Sequence, residues 1–186
     1  NMPDNENKYE VLALSELLEE FERKNIEEVL NDFTTIDVDK DVEDFLRHKA
    51  IDFQIQDFSR TYLVFLKIEH VKNLVGYFSI INKPLNISAV NWNVLSRKTR
   101  SRLVGKLGNE KIDGASQKSI PGILLGQLGK DNKYSEFVPG SDILKLAEIK
   151  VKDAWRSTGG RLLWLEANYS SDSKLMKFYE TNKYIK

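Results

Sequence analysis

The stretch "QLGKDNKYSEFVPGSDILKLAEIKV", Gln127 to Val151, begins as the end of a strand and finishes as a helix. A single glycine, Gly140, stands where that helix starts. A helix N-terminus presents unpaired N–H groups and the positive end of the helix dipole, so this loop is either a cradle for a phosphate or only a turn. The helix, expected from about Ser141 to Arg156, turns Ile143, Leu144, Leu146, Ala147, Ile149, Lys150, Val151 and Ala154 mostly one way. Upstream, "GILLGQLGK" reads as a strand containing Gly126 and Gly129, which predicts a bulge or a close approach by another chain or ligand. Downstream, Gly159 and Gly160 end the helix, and "RLLWLEA" is a continuously apolar strand ending at Glu166, with both faces expected to be covered. Gly122 to Ala167 is therefore a β-α-β unit, which implies a right-handed crossover and two parallel strands within a mixed sheet. In such sheets ligands bind where neighbouring strands part.

Working outward, "TYLVFLKIE" (Thr61 to Glu69) and "NLVGYFSIINKPLNISAV" read as two strands of an antiparallel hairpin. Ser96 is placed to cap a helix that carries Arg97, Lys98, Arg100 and Arg102 ahead of Leu103, Val104 and Leu107. The segment "NEKIDGASQKS" is loop-like. Near the start of the chain, apolar residues from Tyr9 to about Leu30 recur at steps of three and four, predicting an amphipathic helix broken near Asn25. A second helix, capped by Asp39 or Asp41 and running to about Phe53, would bury Val42, Phe45, Leu46 and Ala50. "SSDSKLMKFYETNKY" predicts a short capped helix carrying Leu175, Phe178 and Tyr179.

The 186 residues, 41% apolar and 10% aromatic, suffice for one packed domain spanning 1–186. Formal net charge is zero, yet residues 1–57 hold 17 acidic and 6 basic side chains, leaving the remainder at +11. The basic part either meets an anion or is simply solvated. With no cysteine, no basic apolar leader and no apolar run near 18 residues, the expectation is a cytoplasmic protein without a membrane partner. His48 and His70 have no metal-ligand spacing around them, and no metal is expected.

"IPGILLGQLGKDNKY", the long helix, "GGRLLWLEA" and "LMKFYETNKY" come in the order of the acetyl-CoA-binding half of the GNAT superfamily of N-acetyltransferases. Upstream, "VEDFLRHKA", "TYLVF" and "LVGYFSI" look like the first half of GNAT-type acetyltransferase toxins and their mobile-element relatives, so the resemblance covers the chain from Leu17 onward. It implies a three-layer α-β-α acyl-CoA N-acyltransferase fold around a mixed, largely antiparallel sheet, with residues 121–186 as the acyl-CoA-binding half and 1–57 as an acidic helical part. Of the family's loop pattern Q/R-x-x-G-x-G/A, laid onto Ser135 to Gly140, this sequence keeps only Gly140, with Glu136 and Val138 at other positions of the pattern. Its last helix reads "FYETNKY", with Lys183 in place of the family's glycine.

The resemblance implies acetyl-CoA as co-substrate and direct attack by an amine on the thioester. Leu128, Gly129 and Lys130 would line acetyl and pantetheine, and backbone groups of Phe137, Val138, Pro139, Gly140 and Ser141 would receive pyrophosphate, helped by the donors of Asn132 and Lys133. Tyr179 matches the tyrosine that protonates the leaving thiolate. Read from the residues alone, one half of a core aromatic pair with Phe178 is the preferred role. Glu166 is a candidate base or the partner of a nearby cation, with water as the other proton acceptor. Arg97, Lys98, Arg100 and Arg102 would touch the acceptor, which is aminoacyl-tRNA in toxin-like relatives and otherwise a protein or small amine; a homodimer would double that patch. The contrasting expectation is a GNAT-like module that binds protein or RNA without catalysis.

Overall fold

The computed structural model describes residues 8–106, 108–166 and 173–184. Its sheet has five strands in the order β1-β2-β3-β6-β7. These are β1 (Tyr9–Ala13), β2 (Arg60–Ile68), β3 (Val71–Asn82), β6 (Ile123–Lys130) and β7 (Leu163–Leu165), and a second small sheet pairs β4 (Leu85–Ser88) with β5 (Gln117–Ile120). All pairings are antiparallel except β6 with β7, the parallel pair expected from the β-α-β pattern. Helices α1 (Leu14–Glu20), α2 (Arg23–Asn31), α3 (Lys40–Asp44) and α4 (Ala50–Ile55) cover one face. The other face is covered by α7 (Gly140–Thr158) and α8 (Ser173–Thr181), while α5 (Ala89–Val94) and α6 (Arg97–Val104) stand beside the small sheet.

Side-chain alternation along the strands divides the core into two layers. Leu63 and Tyr77 join Leu14, Leu30, Phe33, Leu46 and Ala50 on the α1–α4 side. Val64, Leu66, Phe78 and Ile80 meet Ile143, Leu144, Ala147 and Val151 of α7 on the other. Each fully buried side chain of this kind contributes about 1.5–3 kcal/mol, so both layers are needed to hold the sheet. Two bulges keep the alternation in step. At Val64/Phe65 the register skips Val75 in β3, and at Ser79/Ile80 it skips Gly126 in β6.

The structure corrects several sequence expectations. Tyr9–Ala13 is a strand, not the first turn of a helix, because its apolar residues also fit a period of two and the edge of β2 offers a full ladder from Tyr9↔Leu66 to Ala13↔Tyr62. The helical break falls at Phe21 and Glu22, ahead of Asn25. The second helical stretch is neither uniform nor capped by a side chain at Asp39. A π turn at Phe45–Lys49 separates α3 from α4, and the Val42 carbonyl just before it accepts the Tyr77 hydroxyl at 2.6 Å. The last residues of the expected loop, from Gln117 to Ser119, belong to β5 (Gln117–Ile120). "RLLWLEA" yields a three-residue edge strand of half-buried residues rather than a strand covered on both faces, with β6 as its neighbour among the described residues. Ala167, Leu107 and the expected cap of α8 lie outside the described residues.

Other expectations match. The β2–β3 hairpin turns at Glu69 and His70, whose φ values of 48° and 70° are those of a two-residue primed turn. Ser96 Oγ accepts the Thr99 N–H at 3.0 Å as the cap of α6. Gly159, at φ 72°, closes α7.

Candidate functional site

β6 and β7 part where the bulge falls. Their ladder runs from Ile123↔Leu163 to Leu125↔Leu165, after which β6 continues from Gly126 to Lys130 with no described strand on that side. The Asp131 N–H donates to the Val75 carbonyl at 2.9 Å, so by strand alternation Gly129 faces β3 while Leu128 and Lys130 turn their N–H and C=O groups toward the open side. This opened edge leads straight into the loop before α7.

Asp131 organises that loop. Its carboxylate, 1% exposed, takes the Lys133 N–H at 2.8 Å in a short turn at Asn132–Tyr134, and also holds Thr34 of the acidic N-terminal layer. Phe137 and Val138 both give their N–H groups to the Tyr134 carbonyl, at 3.0 and 3.1 Å, and Pro139 has none to give. Of the five residues read as a phosphate cradle, Gly140 and Ser141 are thus the ones that bring first-turn amides to the helix start. Val138 is fully buried and serves as the loop's apolar anchor. Phe137 and Glu136 are exposed.

Two ammonium groups lie on the loop. Lys130 Nζ donates to the Ser135 carbonyl at 3.3 Å, and Lys8 Nζ to the Phe137 carbonyl at 3.2 Å. They oppose the negative charge of Glu136. Lys133 is turned elsewhere, donating to the carboxylate and the carbonyl of Asp32 at 2.6 and 2.7 Å. Tyr9 donates its hydroxyl to Asp142 in the first turn of α7 at 2.9 Å, and burial followed by that carboxylate raises its pKa. These tethers from Lys8, Tyr9 and Thr34 escaped sequence reading, because each joins residues about a hundred or more positions apart. The available signal was local: an aspartate directly after a strand, two residues before a lysine.

The glycines part company in role. A Cβ on Gly129 would lie 2.6 Å from Val42 Cγ1 and 2.8 Å from Tyr77 Cε1, so the close approach at that position is made by the chain's own helical layer. A Cβ on Gly140 would meet the Phe178 ring at 3.5 Å, an ordinary contact that seats α8 against the start of α7. Next along α8, Tyr179 packs edge-on against Phe178 and Tyr184 at 5.2 and 5.6 Å between ring centres. Burial, and after it the Asp39 carboxylate, push its phenol up to about 12.

The remaining candidates lie apart from these. Glu166 is exposed at the end of β7, 3.4 Å from Lys83 Nζ, in the ion pair anticipated as the alternative to a catalytic role. Arg97, Lys98 and Arg102 are exposed on α6, whereas Arg100 is buried and donates to the carbonyls of Asn109 and Leu95, both at 2.7 Å. Its guanidinium is turned inward, away from any surface ligand. No metal-binding group of His, Cys, Asp or Glu occurs among the described residues, nor is any described helix long and apolar enough to cross a membrane.

No protein-family model and no curated protein matches the sequence. Solved structures do match. A Tyr-to-Phe mutant of the AtaT toxin, bound to the C-terminus of the antitoxin AtaR and acetyl-CoA, is similar with a TM-score of 0.61 and 15% identity over 96% of this chain and 85% of that one. A Tyr-to-Phe mutant of KacT gives 0.61 and 16% over 94% and 85%. AtaT complexed with acetyl-methionyl-tRNAfMet gives 0.59 and 20% over 84% and 79%. At these identities the likeness establishes the fold alone, the mixed α/β architecture with its five-stranded central sheet that the sequence led one to expect of a GNAT fold.

Proposed function

We propose that the protein is an acetyl-CoA-dependent N-acetyltransferase whose cofactor lies along the open side of β6 and ends at the first turn of α7. The observation that carries this reading is the parting of β6 from β7 at Gly126, directly upstream of a helix start that presents Gly140 and Ser141. A thioester bound there would supply an activated acetyl group and a thiolate leaving group. The outward amides at Leu128 and Lys130 are placed to stabilise negative charge on an acyl oxygen. The amides of Gly140 and Ser141, with the Ser141 hydroxyl and the Lys8 and Lys130 ammoniums, would hold pyrophosphate. Tyr179 would donate its phenolic hydrogen to the sulfur. At a pKa of about 12 it stays protonated at neutral pH and stabilises a thiolate chiefly as a hydrogen-bond donor.

The incoming amine must lose a proton before it attacks, because the ammonium form, favoured below a pKa of about 7.7–8.0 for an α-amine and about 10.4 for a lysine, has no free electron pair. Glu166, exposed and paired with Lys83, is poorly placed to take it, and water in the open cleft is the better acceptor. For the acceptor we favour aminoacyl-tRNA, since AtaT has been solved with acetyl-methionyl-tRNAfMet and residues 58–186 are strongly basic. The contrary reading, a GNAT-like module without catalysis, is favoured by the Phe178 ring resting against Gly140, which narrows the approach to the helix start.

Thermal-shift titration with acetyl-CoA separates the two, with desulfo-CoA and ADP as controls. At about a hundred times its dissociation constant a ligand adds about 2.7 kcal/mol of stability. A saturable shift with acetyl-CoA and desulfo-CoA supports the transferase. A folded protein that shows no shift with either belongs to the module.

A further inference from the structure

Helix α8 closes on a turn that folds the chain back toward α7. Tyr184 gives its N–H to the Tyr179 carbonyl at 3.0 Å and Lys183 gives its N–H to the Glu180 carbonyl at 2.9 Å, the paired bonds of a Schellman turn. Such a turn needs one left-handed residue, and Lys183 supplies it at φ 71°, a costly conformation for a side chain other than glycine. The turn sets Tyr184 beside Tyr179, with ring centres 5.6 Å apart and planes at 62°. Phe178 meets the same ring at 5.2 Å and 66°, so two edge-on contacts hold Tyr179. Both neighbours are anchored on α7. Phe178 lies against Gly140, and the Tyr184 hydroxyl donates to Glu148 Oε1 at 3.2 Å. These anchors are about 12 Å apart along one helix, which Ile143, Leu144, Ala147 and Val151 fix to the sheet. Burial, and after it the Glu148 carboxylate, raise the Tyr184 pKa, so its hydroxyl stays a donor at neutral pH.

We infer that Tyr184 is a positioning residue for Tyr179: its ring, tethered to α7 through Glu148, fixes the rotamer from which the Tyr179 phenol reaches the leaving sulfur. The role rests on the function proposed above, in which Tyr179 gives its hydrogen to the thiolate. Tyr179 stands in the last turn of α8, which ends at Thr181, and last turns fray. A contact from beyond the helix end, secured to a different and well-packed helix, removes that freedom. It matters at this place because a displacement on the order of 1 Å between reacting groups costs about a hundredfold in rate. The Tyr184 hydroxyl is committed to Glu148 and leaves Tyr179 as the donor.

The test uses the full chain, with acetyl transfer from acetyl-CoA to bulk aminoacyl-tRNA for the rate and desulfo-CoA binding for the integrity of the cleft. Tyr184→Leu, which keeps apolar volume but loses ring and tether, is expected to lower kcat about tenfold while the KM for acetyl-CoA and the desulfo-CoA affinity stay within about twofold. Tyr184→Phe and Glu148→Ala each cut the tether alone and should cost about threefold, with no further loss when combined. Glu148→Gln, which keeps an acceptor for the hydroxyl, should recover most of what Glu148→Ala loses. In a Tyr179→Phe background Tyr184→Leu should slow nothing further, because the group it positions is gone. Unchanged kcat in Tyr184→Leu, or a loss that multiplies with that of Tyr179→Phe, overturns the positioning role and leaves the transferase standing. No transfer by wild type, or full speed in Tyr179→Phe, overturns the function above and this role with it. Ring order is read without turnover. With Tyr179→4-fluorophenylalanine the fluorine resonance should be one narrow line, and adding Tyr184→Leu should broaden it or move it toward the free amino acid. A line that Tyr184→Leu leaves unchanged overturns the role whether or not acetyl is transferred.

Discussion

The carboxylate of Asp131 accepts both the N–H and the hydroxyl of Thr34, at 3.3 and 3.2 Å, and so ties the loop before α7 to the opposite layer of the fold. Because Asp131 is almost completely buried, removing its side chain leaves the half-buried Thr34 donors and the Lys133 N–H without their partner. Asp131→Ala is expected to cost about 2–3 kcal/mol, measured by urea unfolding. Acetyl-CoA affinity should fall in the same variant, because the loop loses its fixed path.

Gly140 offers a cleaner probe of the cleft. Its φ is not in the left-handed region and a Cβ there makes only ordinary contact with Phe178, so Gly140→Ala should fold normally. Gly140→Asp adds a carboxylate at the helix entrance, where pyrophosphate would sit. Calorimetry is expected to show near-native acetyl-CoA affinity for the alanine variant and a loss of about tenfold or more for the aspartate; equal affinities would move the phosphate elsewhere.

Tyr179→Phe should slow acetyl transfer by about 10- to 100-fold while leaving cofactor affinity nearly intact, as read by steady-state kinetics and titration. With its pKa raised to about 12, Tyr179 is protonated across the working range, so it should impose no alkaline limb on the rate below about pH 11. Any stability tied to its protonation is complete below the unfolded value near about 10 and declines as pH rises toward 12. Unchanged turnover in the phenylalanine variant would return Tyr179 to the core as packing alone.

Glu43 is the charge centre of the N-terminal layer. It lies 2.9 Å from Lys40 Nζ, 2.7 Å from the Thr35 N–H and 3.0 Å from Arg47 Nη1. The lysine and the backbone N–H, foremost among these, hold its pKa down at about 2. Its contribution to stability is therefore present above the unfolded value of about 4.3 and lost as pH falls through about 2. Glu43→Gln should cost about 2 kcal/mol at neutral pH, and the gap between wild type and variant should close on acidification, followed by thermal melts.

Gly129→Ala should destabilise by about 1–3 kcal/mol, since the new methyl would overlap Val42 and the Tyr77 ring. The shortened variant Val42→Ala, combined with it, is expected to recover part of that loss in a double-mutant cycle.

Between Thr61 and Thr158 the β2–β3 hairpin, α6, β6 and α7 were legible because hydrophobic period, turn residues and caps agree there: Ser96 caps, Gly126 bulges and Gly159 closes a helix as their chemistry requires. The short β4, α5 and β5 were hidden within an expected strand and an expected loop. Tyr9–Ala13 was not, because five residues fit both periods and only the distant β2 edge decides between them. Within the candidate site, Gly140 could be read from its place before the helix. The donors around it could not, since whether Phe137 gives its N–H to a ligand or to Tyr134 depends on the path of the loop. Arg100 misled for a related reason: charge in a sequence carries no direction, and this guanidinium is spent on the carbonyls of Asn109 and Leu95.

The hydrogen bond from Tyr9 to Asp142 joins positions 133 residues apart. Closing so long a loop is entropically costly, and the strands between the two positions shorten it. Residues 121–186 expressed by themselves would carry every group assigned to cofactor binding except Lys8 and still lack the tethers from Tyr9 and Thr34 that shape them into a site.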